Sequence, residues 1–327
     1  MHPQPRHGAE LTEPHEIAPA PPRAPGDGDR GRAGGGLEAG GGLEAARVAA
    51  ARGHAVTVLE AAGQPGGQLR LAARQPRRRE MLSIIDWRMA ECTRAGVDVR
   101  FNIWAEAADV LATAPDVVVV ATGGMAQGLP LAEGADLAVT AWDILSGDVR
   151  PGTRVLVCGD AGDHAGLQAA DLLAEAGAQV EIVTPDRSFA PEVMAMNLVP
   201  YVQSLQARGA VFTVTWRLGA IRRAGNDLCA RLVSDYGPAV IARTVDQVVV
   251  NHGTEPLDNL YFAPKPLSRN LGAVDHESLV AGLPQDLEQD LAPNPEGRFA
   301  LYRIGDAVAA RNTHAAIYDA LRLMKAV

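Results

Sequence analysis

Aromatic residues are scarce. Phe, Trp and Tyr make up 4% of the 327 residues, too few for a surface that binds nucleic acid by stacking bases. A basic excess is missing too. Lys and Arg number 30 against 39 Asp and Glu, a formal net charge of −9. That balance excludes a nucleic-acid or anionic-membrane surface as the main function. No uninterrupted apolar run approaches the roughly 20 residues of a membrane helix. The first residues carry Pro, His and acids but no apolar core of a secretory leader, so a cytoplasmic location is expected. Cysteine is limited to Cys92, Cys158 and Cys229, far apart from one another. There is no CxxC pair and no run of iron–sulfur ligands. Three scattered thiols read as packing residues of a reduced compartment. Triads, metal boxes and paired catalytic cysteines are absent, so the chain is assigned no catalytic residue and no metal site.

What is present is an apolar share of 47%, enough for two cores of ordinary domain size. Residues 1–33 are rich in Pro, Gly, His and charge and read as disordered. From residue 43 onward helical and apolar strand patterns alternate, the texture of parallel α/β sheets. Strands are expected at 55–60, 97–101, 116–121, 154–158, 180–185, 211–216, 228–234 and 241–250. Helices are expected from 43 to 52, 77 to 95, 167 to 176, 197 to 208 and 313 to 324.

The most informative stretch runs from Gly40 to Glu60. It reads as glycine turn, helix, Gly53 stop, short apolar strand and terminal acid. That is the second half of a dinucleotide-binding βαβ unit. Gly40 and Gly42 would let the backbone approach a pyrophosphate at a helix N-terminus; the alternative is a low-complexity glycine run. Glu60 follows Gly42 by 60 − 42 = 18 positions, near the roughly 20 expected of the acid that holds a ribose hydroxyl. The alternative for Glu60 is a solvated strand end. The first strand is degenerate: residues 26–36 are Gly, Asp and Arg with one Ala, which excludes a buried strand.

Further on come the turn Gly66-Gly67-Gln68-Leu69, the strand end Ala121-Thr122-Gly123 and a second βαβ unit with its turn at Gly159–Gly166. A second strand-to-glycine run covers Val245–Thr254, and Gly305-Asp306 precedes the last helix. In this order the motifs resemble the C-terminal flavin/ADP region of the trimethylamine dehydrogenase and 2,4-dienoyl-CoA reductase (NADH:flavin oxidoreductase) family. The wording of Gly66–Leu69, Val183–Arg187, Val245–Thr254 and Tyr302–Leu323 is most similar to its N-methylproline (stachydrine) and dimethylglycine demethylases. The resemblance covers residues 40 to 327.

The resemblance implies an α/β fold of two Rossmann-like nucleotide-binding domains, the second inserted in the first. An FAD/ADP-binding domain would occupy 34–150 and 245–327, and an NAD(P)-binding-like domain 151–244. It implies FAD, or ADP, held by Gly40, Gly42, Glu60, Gly67, Gln68, Gly123, Gly305, Asp306, Thr313 and His314. For Asp306 the alternative is a helix N-cap, and for His314 a surface residue at a helix start. The FMN-binding barrel and the 4Fe–4S cluster of full family members are not in this sequence. The chain is therefore expected to work with a separate FMN/4Fe–4S barrel subunit on a small amine. Its function is then that of a flavin-dependent, N-demethylating oxidoreductase module. A non-redox ADP-binding assembly module and an inactive fragment are the alternatives. In the second βαβ turn Ala161 and Asp163 replace the first two glycines. A carboxylate there repels a pyrophosphate, so NAD(P) is not expected.

Overall fold

The structure is a computed structural model that describes residues 17–19, 32–35 (backbone only), 40–128, 131–285 and 294–327. The chain divides into two compact units. The first comprises Met1–Arg70, Glu80–Gly124 and Pro256–Val327; the second comprises Leu71–Arg79 and Met125–Glu255.

The first unit is built on a five-stranded parallel sheet. In spatial order the strands are Ala300–Arg303, Val117–Val120, Arg32–Gly35, Ala55–Leu59 and Asp98–Arg100. Helices Gly41–Ala51, Leu82–Arg94 and Thr313–Ala326 cover one face. Their Leu43, Val48, Ile85, Cys92 and Leu323 pack on Val58, Val117 and Val119. Val118 and Val120 point to the opposite face and pack with Tyr261 and Leu301. All four valines are buried, as expected of a strand covered on both sides.

The first strand corrects the sequence reading. Arg32–Gly35 lies between Ala55–Leu59 and Val117–Val120, with Gly34 in register with both Thr57 and Val118. A four-residue slot between two apolar strands asks only for a ladder-competent backbone. Glycine weakens such a strand by roughly 0.5–1 kcal/mol per residue but does not forbid it. The disordered reading of 1–33 is corrected at two places, this strand and residues 17–19. Ile17 packs on the first unit's core, and the Ala18 carbonyl accepts from Arg52 at 3.3 Å. The remainder of that reading lies outside the described residues.

In the second unit a five-stranded parallel sheet runs Ala138–Thr140, Gln247–Asn251, Arg154–Gly159, Gln179–Thr184 and Val211–Val214. Helices His164–Glu175 and Ala195–Ala207 pack on it through Leu167, Leu173, Tyr201 and Leu205. A three-stranded antiparallel sheet, Arg217–Ala224, Asp227–Val233 and Val240–Val245, closes the other core through Ile221, Ala230 and Leu232. The strand expected over 241–250 is two strands broken at Asp246. Its carboxylate accepts from the Thr153 and Arg154 amides at 3.0 and 2.9 Å. Gln247–Asn251 and Ala138–Thr140 both belong to this second sheet. The expected boundaries at 150 and 245 therefore move to 124 and 255.

Residues 71–79 also belong to the second unit, held by a buried polar cluster. Asp171, 1% exposed, accepts from Gln75, from Arg77 Nη2 at 2.7 Å and from Ser204 Oγ at 2.5 Å. The Gln168 amide donates to the Ala72 carbonyl at 2.7 Å, and Arg77 lies over the Tyr201 ring.

Candidate nucleotide-binding site

Gly40 is the N-cap of helix Gly41–Ala51 and offers no side-chain cap. Its own role is close approach. A Cβ on Gly40 would stand 3.0 Å from Ile317 Cγ1 and 3.5 Å from Thr313 Cγ2, and one on Gly41 would stand 3.1 Å from the Ala316 carbonyl oxygen. The glycines thus let the helix starting at Thr313 cross the start of the first helix. Gly42 is buried within the first turn. Nearby, Glu44 is buried between Arg47 and Arg88 at 2.6 and 2.8 Å, an ion triad the sequence reading did not single out.

Glu60 ends the strand Ala55–Leu59 and is buried, 8% exposed. Its amide donates to the Arg100 carbonyl at 2.9 Å, and its Oε1 accepts from the Ala62 amide at 2.8 Å. The carboxylate lines a cavity of about 490 Å³ with Thr57, Trp104, Glu106, Val118 and Thr122. Sequence reasoning missed Trp104 and Glu106, because nothing marks a loop residue as facing a cavity until the strands are placed.

Burial raises the Glu60 pKa above the ordinary carboxylate value, and the Ala62 amide opposes this only partly. A carboxyl whose folded pKa is raised favours folding below its unfolded pKa and loses that contribution as pH climbs through the folded one. Glu60 thus opposes folding of the ligand-free chain at neutral pH. Glu60→Gln is expected to stabilise that chain at pH 7 by on the order of 1 kcal/mol, about 2–4 °C in thermal unfolding. The gain should vanish at pH 4. A variant no more stable than the parent at pH 7 would refute the burial argument.

The turn before the next helix adopts left-handed backbone, with φ of 122° at Gly66 and 40° at Gly67. A Cβ on Gly66 would lie 2.4 Å from Ile85 Cδ1, so glycine is required there. This turn sets Gln68, whose Nε2 donates to Asp306 Oδ2 at 3.0 Å. The structure thereby joins two motifs 238 residues apart in the chain. Asp306 is buried, follows Gly305 at φ 61°, and its Oδ1 accepts from the Arg311 amide at 3.2 Å. It does not cap the last helix. That cap is Asn312, whose Oδ1 accepts from the Ala315 amide at 2.9 Å. The helix-cap alternative for Asp306 is thereby removed.

Gly123, at φ 72°, accepts from the Leu257 amide at 2.9 Å, and Thr122 Oγ1 donates to the Leu257 carbonyl at 2.5 Å. The strand end is stitched to residue 257 while Thr122 still faces the cavity. Thr313 opens the last helix, and the exposed His314 ring stacks parallel to Tyr318 at 6.2 Å. The structure therefore joins Gln68 with Asp306, brings Gly40 to Thr313, and places Glu60 and Thr122 on one cavity.

No family model matches the chain. It is 59% identical over 322 residues to "Probable N-methylproline demethylase" of Rhizobium meliloti (strain 1021), covering 97% of this chain and 45% of that protein. It is 44% identical over 328 residues to "N,N-dimethylglycine/sarcosine dehydrogenase" of Chromohalobacter salexigens, covering 96% and 46%. The chain thus spans less than half the length of these curated relatives. Among solved structures, histamine dehydrogenase from Rhizobium sp. 4-9 matches with a TM-score of 0.72 at 22% identity, over 93% of this chain and 45% of that one. Thioredoxin reductase from T. acidophilum matches with a TM-score of 0.61 at 16% identity, over 90% and 95%. At such identities these structures show the fold alone, α/β with Rossmann-type parallel sheets. The chain is a homologue of the C-terminal part of these N-methylproline demethylase and N,N-dimethylglycine/sarcosine dehydrogenase relatives.

Proposed function

We propose that this chain is the nucleotide-holding module of a flavin-dependent, N-demethylating amine oxidoreductase. FAD, or ADP in its place, is held by the first unit. Glu60 accepts from ribose hydroxyls. Gly40 and Gly42 admit the pyrophosphate to the helix start. Gly67, Gln68, Gly123, Gly305 and Asp306 form the backbone and polar lining, and Thr313 and His314 meet the far end. FAD, when bound, supplies a two-electron acceptor; the chain's own residues bind, orient and exclude water. A small N-methylated amine would be oxidised in a part that the longer relatives carry beyond this chain, here a separate FMN/4Fe–4S barrel subunit. The cytoplasm is the proposed compartment. Among the described residues no helix is long and apolar enough to cross a membrane.

The observation that carries the reading is the Gln68–Asp306 hydrogen bond. It makes one part-buried polar contact from two motifs 238 residues apart in the chain. The buried Glu60 carboxylate on a cavity supports the same fit. The non-redox alternative draws no support from the relatives, whose names are those of oxidoreductases.

The test is the absorbance spectrum and nucleotide content of the purified chain, before and after incubation with FAD or ADP and desalting. A flavin spectrum after incubation with FAD is the expected result, with FAD held more weakly than by a variant given an apolar first strand that ends in GxGxxG. A colourless chain that retains ADP alone favours the assembly-module reading. Retention of neither refutes the site.

A further inference from the structure

The second unit repeats the strand–turn–helix of a dinucleotide site, with strand Arg154–Gly159, a glycine turn and helix His164–Glu175. Ligands of such sheets bind beyond the carboxyl ends of the strands, on amides of the turn and of the helix start. Here three of those amides already have partners inside the unit. The Asp160 and Ala161 amides both donate to the Asn251 carbonyl, at 3.2 and 3.4 Å. The Ala165 amide, in the first turn of the helix, donates to Asp163 Oδ1 at 2.9 Å.

Side chains complete the closure. Asn251 is buried, 6% exposed, and its Nδ2 donates to Asp163 Oδ1 at 2.7 Å. Its atoms occupy the space that glycines leave. A Cβ on Gly159 would stand 3.2 Å from the Asn251 carbonyl oxygen, and one on Gly166 would stand 3.1 Å from Asn251 Nδ2. From the other side Pro191 lies against Gly162, and the Glu192 amide donates to the Gly162 carbonyl at 3.0 Å. Asp160 is held by His252 Nδ1 at 2.6 Å and by Arg217 at 3.1 Å. A pyrophosphate entering this turn would have to displace Asn251, take the Ala165 amide from Asp163, and sit beside that carboxylate.

We infer that Asp163 and Asn251 latch the second crevice shut. The Asp163 carboxylate takes the place of a bound pyrophosphate at the helix start, and neither NADH nor NADPH binds there. The latch is a specificity device: it leaves the first unit as the dinucleotide site of the chain and removes pyridine dinucleotides from its second one. The inference concerns only the second unit and does not depend on what the first unit holds.

The test titrates the full chain with NADH and with NADPH by calorimetry, before and after saturation of the chain with FAD. ADP and FAD retention by the same samples reports on the first unit separately. No saturable binding is expected for the parent. Asp163→Gly combined with Asn251→Ala should bind a pyridine dinucleotide at least about tenfold more tightly than the parent's limit, because a buried like charge and a steric plug are both gone. Should that variant fail to fold, Asp163→Asn keeps the helix cap while removing the charge and decides by the same criterion. Saturable NADH or NADPH binding by the parent overturns the inference. So does a folded variant that shows no gain.

Discussion

Glu60→Ala and Asp306→Asn are each expected to weaken FAD and ADP binding by about ten- to a hundredfold, the worth of one charge-assisted hydrogen bond at roughly 1.5–3 kcal/mol. The two act differently. Glu60 is a buried carboxylate whose pKa is raised by desolvation. Its removal relieves a cost in the ligand-free chain while taking an acceptor from the ligand. Stability should rise and affinity should fall, a pairing that a packing role would not produce. Asp306 accepts on both oxygens, from Gln68 Nε2 and from the Arg311 amide. An asparagine there must turn its NH₂ toward one of those two donors, so the floor of the site loses a bond as well as a charge. Isothermal titration with FAD and with ADP reads both variants. If both stay within twofold of the parent, the nucleotide lies elsewhere.

Asp171→Ala is expected to cost the second unit about 1–3 kcal/mol, the range for leaving a buried polar partner unsatisfied. Three donors converge on this carboxylate, from Gln75, Arg77 and Ser204. Gln75 is itself 1% exposed, and its Oε1 has no hydrogen-bond partner in the structure. Truncation would leave the buried Gln75 amide wholly unsatisfied, while the exposed Arg77 turns to water. Against a typical total of 5–15 kcal/mol the loss is large, and thermal or urea unfolding should show an early transition. Asp171→Asn, which keeps an acceptor oxygen for Arg77, should lose less. A loss for Asp171→Ala below about 1 kcal/mol would mean that water replaces the carboxylate, contrary to its burial.

The two sheets were legible because their strands are written in valine, leucine and isoleucine between glycine stops. Val117–Val120 and Arg154–Gly159 stand where the apolar runs put them. The first strand was not legible. Arg32–Gly35 has no apolar pattern, and its place comes from two neighbours that need a partner between them. The domain boundaries failed for a related reason. Ala138–Thr140 is only three residues long, and nothing local tells which sheet such a strand will join. The antiparallel strand Arg217–Ala224 escaped notice because six of its eight residues are charged or small.

The sequence by itself determined the class of fold, the order of the nucleotide-binding motifs and the family, because each rests on local spacing: a turn, a helix stop, an acid some eighteen residues on. Tertiary structure alone decided the partners of those motifs. It put Gln68 on Asp306, made Asn312 rather than Asp306 the cap, and set Gly40 against the last helix. It also brought Asn251 against Asp163 across 88 residues of chain. Hydrogen bonds and close backbone approach depend on distances between segments far apart in the chain, and local residue patterns carry no record of those distances until the sheets have assembled.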